Sequence, residues 1–427
     1  MTAALCAAPG TTQGPAAPPT APAGARLRGM DAARGLAVLG MIAVHALYDV
    51  DPDGSPSLTY LVTAGRSAAL FAVLAGMGIA FTTGRRRVSG GADGRRAVVS
   101  LAVRGLVVGL IGLALGYTDV ELAANILPYY AVLFLLAIPL VFLPTKVLLA
   151  SGALVAGGVP VLSQLVRPHL PVPDLVNPSF TAFADPGALL SELALTGYYP
   201  AVPWLVYICA GIAVGRLRLS SARVAAGLVV VGTTLALGAT ALSWWLLGPL
   251  GGLERIRSVT PADELASAPT VGDFVTLWPE GTTPTTTWWW LATDAPHSST
   301  PVDLVQTTGS AVAVLGVMLL LGHVTRPAAA RVIGAVTSPL AAVGALTLTV
   351  YTCHVVFLNS PLDQFDALGG YLVQVVAAVL FAVGWRRAVG RGPLESLVRV
   401  LAGKAGRLAT RTTRKTASAR SAPTYPA

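Results

Sequence analysis

The sequence predicts an all-α integral membrane protein, a helical bundle of about ten transmembrane helices. Three observations predict it. Hydrophobic residues make up 54% of the chain and charged residues only 11%, against about 25% charge in ordinary soluble domains. The mean hydropathy is +0.68. Apolar runs long enough to cross a bilayer recur along nearly all of the 427 residues. One bundle therefore accounts for a length that would otherwise suggest two or three soluble domains.

Residues 1–25 are rich in Ala, Pro, Gly and Thr, without charge. They lack the basic start and apolar core of a signal peptide, so a disordered cytoplasmic leader is expected. The membrane domain, 26–402, holds spans at about 30–50, 60–83, 97–117, 126–143, 147–166, 199–215, 223–247, 302–322, 334–358 and 370–386. Gly392-Pro393 opens a short helix with Leu394, Leu397, Val398 and Leu401 on one face. That spacing suits a helix lying on the inner leaflet. Residues 403–427 read as a disordered basic tail beside anionic lipid. Two outer segments, 167–198 and 248–301, exceed ordinary loop length, and such loops bind, cover or gate something.

Charge assigns the sides. With the N-terminus inside, 25 of the 29 Lys and Arg fall on the inner side. Only Arg66, Arg167, Arg255 and Arg257 fall outside, and the inner loop Arg85–Arg96 is the strongest single vote. Both termini are thus expected in the cytoplasm, with the chain in the plasma membrane. The net charge of +9 alternates from loop to loop, which excludes a nucleic-acid face. Cys6, Cys209 and Cys353 form no disulfide or metal pattern. No phosphate loop, nucleophile elbow or metal-ligand cluster is present, so no metal is expected.

The most informative stretch is the first span. Arg34 is followed by ten apolar or small residues and then His45. Eleven helical steps come to about three turns and about 16 Å, so both side chains share one face. An ionisable residue that deep in a bilayer is a functional-site candidate. Asp31 stands one turn before Arg34, placed to orient its guanidinium. That planar fork suits a phosphate-bearing cofactor, and the alternative is a topogenic charge. Asp49 follows His45 at i+4, placed to hold the imidazole tautomer of a general base. The alternative for His45 is a bond to a neighbouring helix. The Asp49, Asp51, Asp53 run reads as a solvated turn rather than a calcium site.

His354, in the ninth span, matches His45 in depth and is either catalytic or interhelical glue. Arg66 either snorkels or closes the outer side of a cavity. Tyr198 and Trp204, with Trp288–Trp290, read as interfacial belt or as an acceptor-stacking platform.

At these residues the chain resembles the clan of polytopic membrane acyltransferases. Asp31-Ala-Ala-Arg34-Gly-Leu followed by His45 resembles the Arg-x10-His opening of the membrane acyltransferase-3 family. It is equally similar to the opening of bacterial heparan-alpha-glucosaminide N-acetyltransferase-like proteins. Leu70–Gly76, Ile126–Ala131 and Pro200–Trp204 resemble later blocks of the second family. Gly344–His354 and Gly392–Glu395 with Arg399 look like the C-terminal half of a related bacterial family. The resemblance covers about 26–402. It implies acyl transfer from cytoplasmic acyl-CoA, in the first instance acetyl-CoA, to a small-molecule or glycan acceptor at the outer face. Arg34 and His45 carry over as the matched pair. The lysosomal sugar acetyltransferase has its active histidine in the loop after the first span, whereas residues 51–59 here hold none.

The expected activity is therefore acyl transfer. Arg34 and Asp31 hold the cofactor, His45 with Asp49 deprotonates the acceptor or carries the acyl group, and His354 assists. Arg66, Tyr198 and Trp204 stand on the acceptor side. Lipid is the immediate partner, and homo-oligomerisation stays open. The rival readings are a proton-linked transporter or flippase and a catalytically silent scaffold. Neither a duplication of halves nor a broken-helix pair is evident to favour transport.

Overall fold

The computed structural model describes the backbone of residues 23–420 and the side chains of 28–410. The expected leader lies almost wholly outside the described residues, as do 421–427. In chain order the helices are α1 (Ala23–Ala46), α2 (Leu58–Thr63), α3 (Arg66–Thr82), α4 (Gly91–Leu115), α5 (Leu127–Leu140), α6 (Thr145–Val166), α7 (Pro186–Ser191), α8 (Ala201–Gly215), α9 (Ala222–Leu247), α10 (Gly252–Arg257), α11 (Ala262–Leu265), α12 (Val271–Leu277), α13 (Pro301–Leu321), α14 (Pro327–Gly344), α15 (Thr347–Leu358), α16 (Ala367–Ala388) and α17 (Pro393–Arg420). There is no strand among the described residues, only an isolated bridge between Val50 and Pro56.

Among the described residues seven helices are long and apolar enough to cross a membrane, or eight if a bent pair counts as one span. The helical membrane bundle is as expected, and length and apolar composition account for part of the expected count of about ten. The pair Pro186–Thr196 and Ala201–Gly215 bends by 50°. Gly197, Pro200 and Pro203 sit at the bend, and a residue before proline avoids the helical region. The expected span 334–358 divides into α14 and α15. α5 and α15 are short, at 14 and 12 residues. α1 carries Arg26, Arg28, Asp31 and Arg34 in its first half, which lowers its apolar character. A broken pair, judged absent from the sequence, is therefore present.

Helices in a bilayer gain little from hiding apolar surface from one another, so close approach through small residues holds them. α3 crosses α8 through Gly76 and Gly211. A Cβ on Gly211 would collide with the Val73 carbonyl oxygen and lie 2.9 Å from the Gly76 Cα. α13 packs along α9, and α1 along α14.

Tertiary contacts sort the loops into two ends. At one end Arg87 Nε donates to the Phe142 carbonyl (2.7 Å), Arg216 Nη1 to that of Leu143 (2.8 Å), and Gly406 packs on Arg96. At the other, the Asp119 N–H donates to Asn359 Oδ1 (2.7 Å) and Gln164 Nε2 to the Pro284 carbonyl (3.1 Å). The partition is the one the arginines trace.

Two expectations change. Residues 403–420 continue α17 as a helix rather than an irregular tail, because Val398 and Ala402 are buried and α17 lies along α4. The 248–300 segment forms a cap with a small core of its own, built from Ile256, Phe274, Val275 and Trp290. Trp290 is 1% exposed while Trp288 is 54% exposed, so the tryptophan run is no single belt.

Candidate active site

α1 is unbroken from Ala23 to Ala46, so Arg34 and His45 ride one helix with His45 at its last turn. The chain then turns sharply through Asp51–Gly54, where Gly54 has φ +84° and the Asp53 carboxylate accepts from the Ser55 N–H and hydroxyl. The Asp run is thus a turn. Among the described residues no group of three or more His, Cys, Asp or Glu could hold a metal.

Because the helix stops at Ala46, Asp49 leaves the i+4 position from which it would reach His45. Asp49 is exposed, and its backbone carbonyl accepts from Ser57 instead. The expected His45–Asp49 support is not formed. His45 Nδ1 instead lies 2.9 Å from His354 Nε2, with the two rings parallel to within 3°. His354 Nδ1 in turn meets Gln374 Oε1 on α16. An amide oxygen can only accept, so His354 Nδ1 carries a proton and its Nε2 accepts from His45 Nδ1. The chain of bonds leaves His45 Nε2 as the uncommitted ring nitrogen. His354 and Gln374 are 4% and 7% exposed, so water does not compete for these bonds.

His45 borders a narrow cavity also lined by Met41, Thr63, Gly65, Tyr199, His297 and Tyr351. It has room for roughly one water molecule. Tyr199 and Tyr351 are fixed by their hydroxyls on the Ala124 carbonyl, at 3.2 and 3.4 Å. His297 descends from the cap. Its Nε2 accepts from the Gly65 N–H at 3.0 Å, and its ring stands edge-on to Tyr199. Gly65, at φ +67°, occupies the break between α2 and α3, and a Cβ there would press on Pro296 and His297 at 3.3 Å. Burial pushes the His297 imidazole down to about 4.

The remaining expected residues separate. Arg66 opens α3 half-buried, within electrostatic reach of Tyr60 and Asp303. Tyr198 lies within electrostatic reach of Glu280 of the cap. Trp204 is 2% exposed and stacks edge-to-face on Tyr199 and Tyr207, so it backs the cavity wall from inside the core. It is neither a lipid belt nor a stacking platform.

About three turns back along α1 from His45, the Arg34 Nη1–Asp31 Oδ1 ion pair forms at 3.2 Å. Arg34 faces Gly78 on α3, where a Cβ would lie 3.5 Å from its Nη2. Arg104 lies within electrostatic reach of Arg34 and Arg399, and Arg386 within reach of Asp31. Like charges gathered this closely favour an anion.

Gln374, His297 and Tyr199 were not singled out from the sequence. Gln374 is a lone amide inside an apolar span, which is a readable signal. His297 sits in a loop, and its sequence neighbours give no hint of what it faces.

The heparan-alpha-glucosaminide N-acetyltransferase catalytic family matches the chain over residues 26–248. No curated protein matches it. The match takes in Arg34, His45, Arg66, Tyr198, Tyr199 and Trp204, while His297, His354 and Gln374 lie beyond it. With more than half its length matched, and with apolar helices able to cross a membrane, the chain belongs to the heparan-alpha-glucosaminide N-acetyltransferase catalytic-domain family.

Proposed function

We propose that this protein moves an acetyl group from acetyl-CoA, bound at the arginine end of α1, to the amine or hydroxyl of an envelope sugar entering from the capped end. The observation that carries the reading is the Gln374–His354–His45 chain, standing on the same helix as Arg34. The separation along that helix is about 16 Å. A pantetheine arm must cross a comparable distance from phosphate to thioester. Arg34, Arg104 and Arg399 offer guanidinium forks for the cofactor's phosphates, and Asp31 orients the first. His45 Nε2 accepts the proton of the attacking amine or hydroxyl. His354 and Gln374 hold the tautomer that leaves it free to do so. The charge pattern supports a plasma-membrane protein with both termini cytoplasmic.

The bent pair α7–α8 favours one second reading, transport, since broken helices frame transporter sites. Purified protein in liposomes, given acetyl-CoA and glucosamine, separates the two. Under the proposal His45→Ala lowers the transfer rate about 10²–10⁴-fold, as loss of a positioned base does. Its CoA affinity by calorimetry stays that of the parent, while Arg34→Lys weakens CoA binding. Glucosamine uptake without acetylation by the parent would replace this reading with transport.

A further inference from the structure

The cavity brings together two histidines of opposite hydrogen-bonding character. His45 presents a bare Nε2. The tautomer of His297 is fixed by a group that can only donate. Its Nε2 accepts from the Gly65 backbone N–H at 3.0 Å, so the proton of the neutral ring sits on Nδ1. That Nδ1–H has no acceptor among the described residues, in a ring that lines the cavity beside His45.

The loop that carries His297 is built to hold it still. His297 and Ser299 both adopt left-handed backbone, at φ 59° and 52°. Such conformations are costly for residues other than glycine and persist only where the surroundings over-determine them. Here they do. The Ser299 N–H donates to Asp303 Oδ2 (3.0 Å), the Asp303 N–H to Thr300 Oγ1 (3.0 Å), and Thr300 Oγ1 to the Thr293 carbonyl. Thr240 Oγ1 ties Asp294 to α9 at 2.9 Å. Ser298, Ser299 and Thr300 are all nearly inaccessible. Of these bonds only the one from the Asp303 N–H to Thr300 Oγ1 is the N-cap of α13; the others tie the loop before it.

We propose that His297 is a second catalytic residue, whose Nδ1–H hydrogen-bonds the thioester carbonyl oxygen and the oxyanion that forms from it. The inference rests on the acetyl-transfer reading above. The acceptor's lone pair forms the new bond to the acyl carbon, and the carbonyl π pair moves onto oxygen, where the His297 Nδ1–H donates a hydrogen bond to the oxyanion. The acceptor's proton passes to His45 Nε2. Collapse of the intermediate breaks the C–S bond, and the proton passes from His45 to the leaving sulfur to give the CoA thiol. No oxidant or reductant is involved. Because burial holds the imidazole near 4, the donor stays a neutral ring with its Gly65 bond intact at physiological pH. A base on one wall and a prealigned donor on another form the minimal pair for substitution at a carbonyl.

The test is steady-state transfer by the full-length protein in liposomes, with acetyl-CoA as donor and glucosamine as acceptor. His297→Phe keeps a ring and loses the donor. It should lower kcat about 10²–10³-fold, as removal of one oxyanion donor does, with KM for acetyl-CoA within about twofold. His297→Asn places an amide N–H near the former Nδ1 and should recover at least about tenfold of that loss. A role in folding alone would not produce that split or that rescue. Equal impairment of the two variants together with a fall in Tm would overturn the inference, as would near-parental kcat in His297→Phe. If the parent and His45→Ala transfer at the same rate while His297→Phe fails, the base assignment falls and the donor assignment stands. If the parent transfers nothing, both fall.

Discussion

His45 takes its orientation from a residue 309 positions away. The nearer carboxylate loses that role because α1 ends one residue later, and the i+4 relation exists only where the helix continues. His354 therefore takes the place beside His45 that Asp49 was expected to fill, and Gln374 stands behind it. Gln374→Leu leaves the His354 Nδ1–H buried without an acceptor, a cost of about 1–3 kcal/mol. It also frees the ring to adopt the other tautomer. We expect a lower Tm and a kcat reduced at least about tenfold, while Asp49→Asn stays within about twofold of the parent. An Asp49→Asn enzyme as slow as Gln374→Leu would return the supporting role to the carboxylate.

At the scale of elements, the break between α14 and α15 sets where His354 stands. A Cβ on Gly344 would collide with the Asp31 carbonyl oxygen of α1, so only glycine lets the two helices meet there. The new helix then needs partners for its first N–H groups. Glu395, in the first turn of α17, supplies one of them. Its carboxylate accepts from the Thr349 N–H at 3.0 Å and from the Thr349 hydroxyl at 2.7 Å. A C-terminal helix thereby caps the short helix that carries His354. Glu395→Ala should cost about 0.5–2 kcal/mol, as loss of a helix cap does. Thermal unfolding in detergent would report it, with Glu395→Gln falling between. An unchanged Tm in Glu395→Ala would show that packing alone holds α15 in place.

The whole molecule pairs a bundle with a cap. The bundle separates an arginine cluster from a histidine cavity along α1, and the cap delivers His297 across that cavity. This arrangement requires the cap and the arginine cluster to face opposite sides of the membrane. In a chain whose native cysteines are replaced by serine, Ser267→Cys in the cap should react with an impermeant maleimide added outside intact cells. Ser89→Cys, in the arginine-rich loop, should react only after permeabilisation. Both positions are exposed, so access and not burial decides the result. The reverse pattern would place acetyl-CoA binding outside and overturn the proposed direction of transfer.

The sequence by itself determined the class of molecule, the partition of its loops, and the pairing of Arg34 with His45. Each is a local or compositional property. Hydropathy accumulates along a segment, charge accumulates in loops, and two residues eleven apart on a helix must share a face. Only the tertiary structure decided what touches His45. Gln374 and His297 belong to elements far along the chain, and nothing in their neighbours encodes a partner across the bundle. Helix breaks were equally illegible. Apolar composition continues through Ala345 and Leu346, and what interrupts the helix there is a close approach to α1 and a carboxylate from α17. Trp204 shows the same limit from the other side. An aromatic at the start of a span reads as interfacial belt, yet the bend at Gly197–Pro200 turns it inward behind Tyr199.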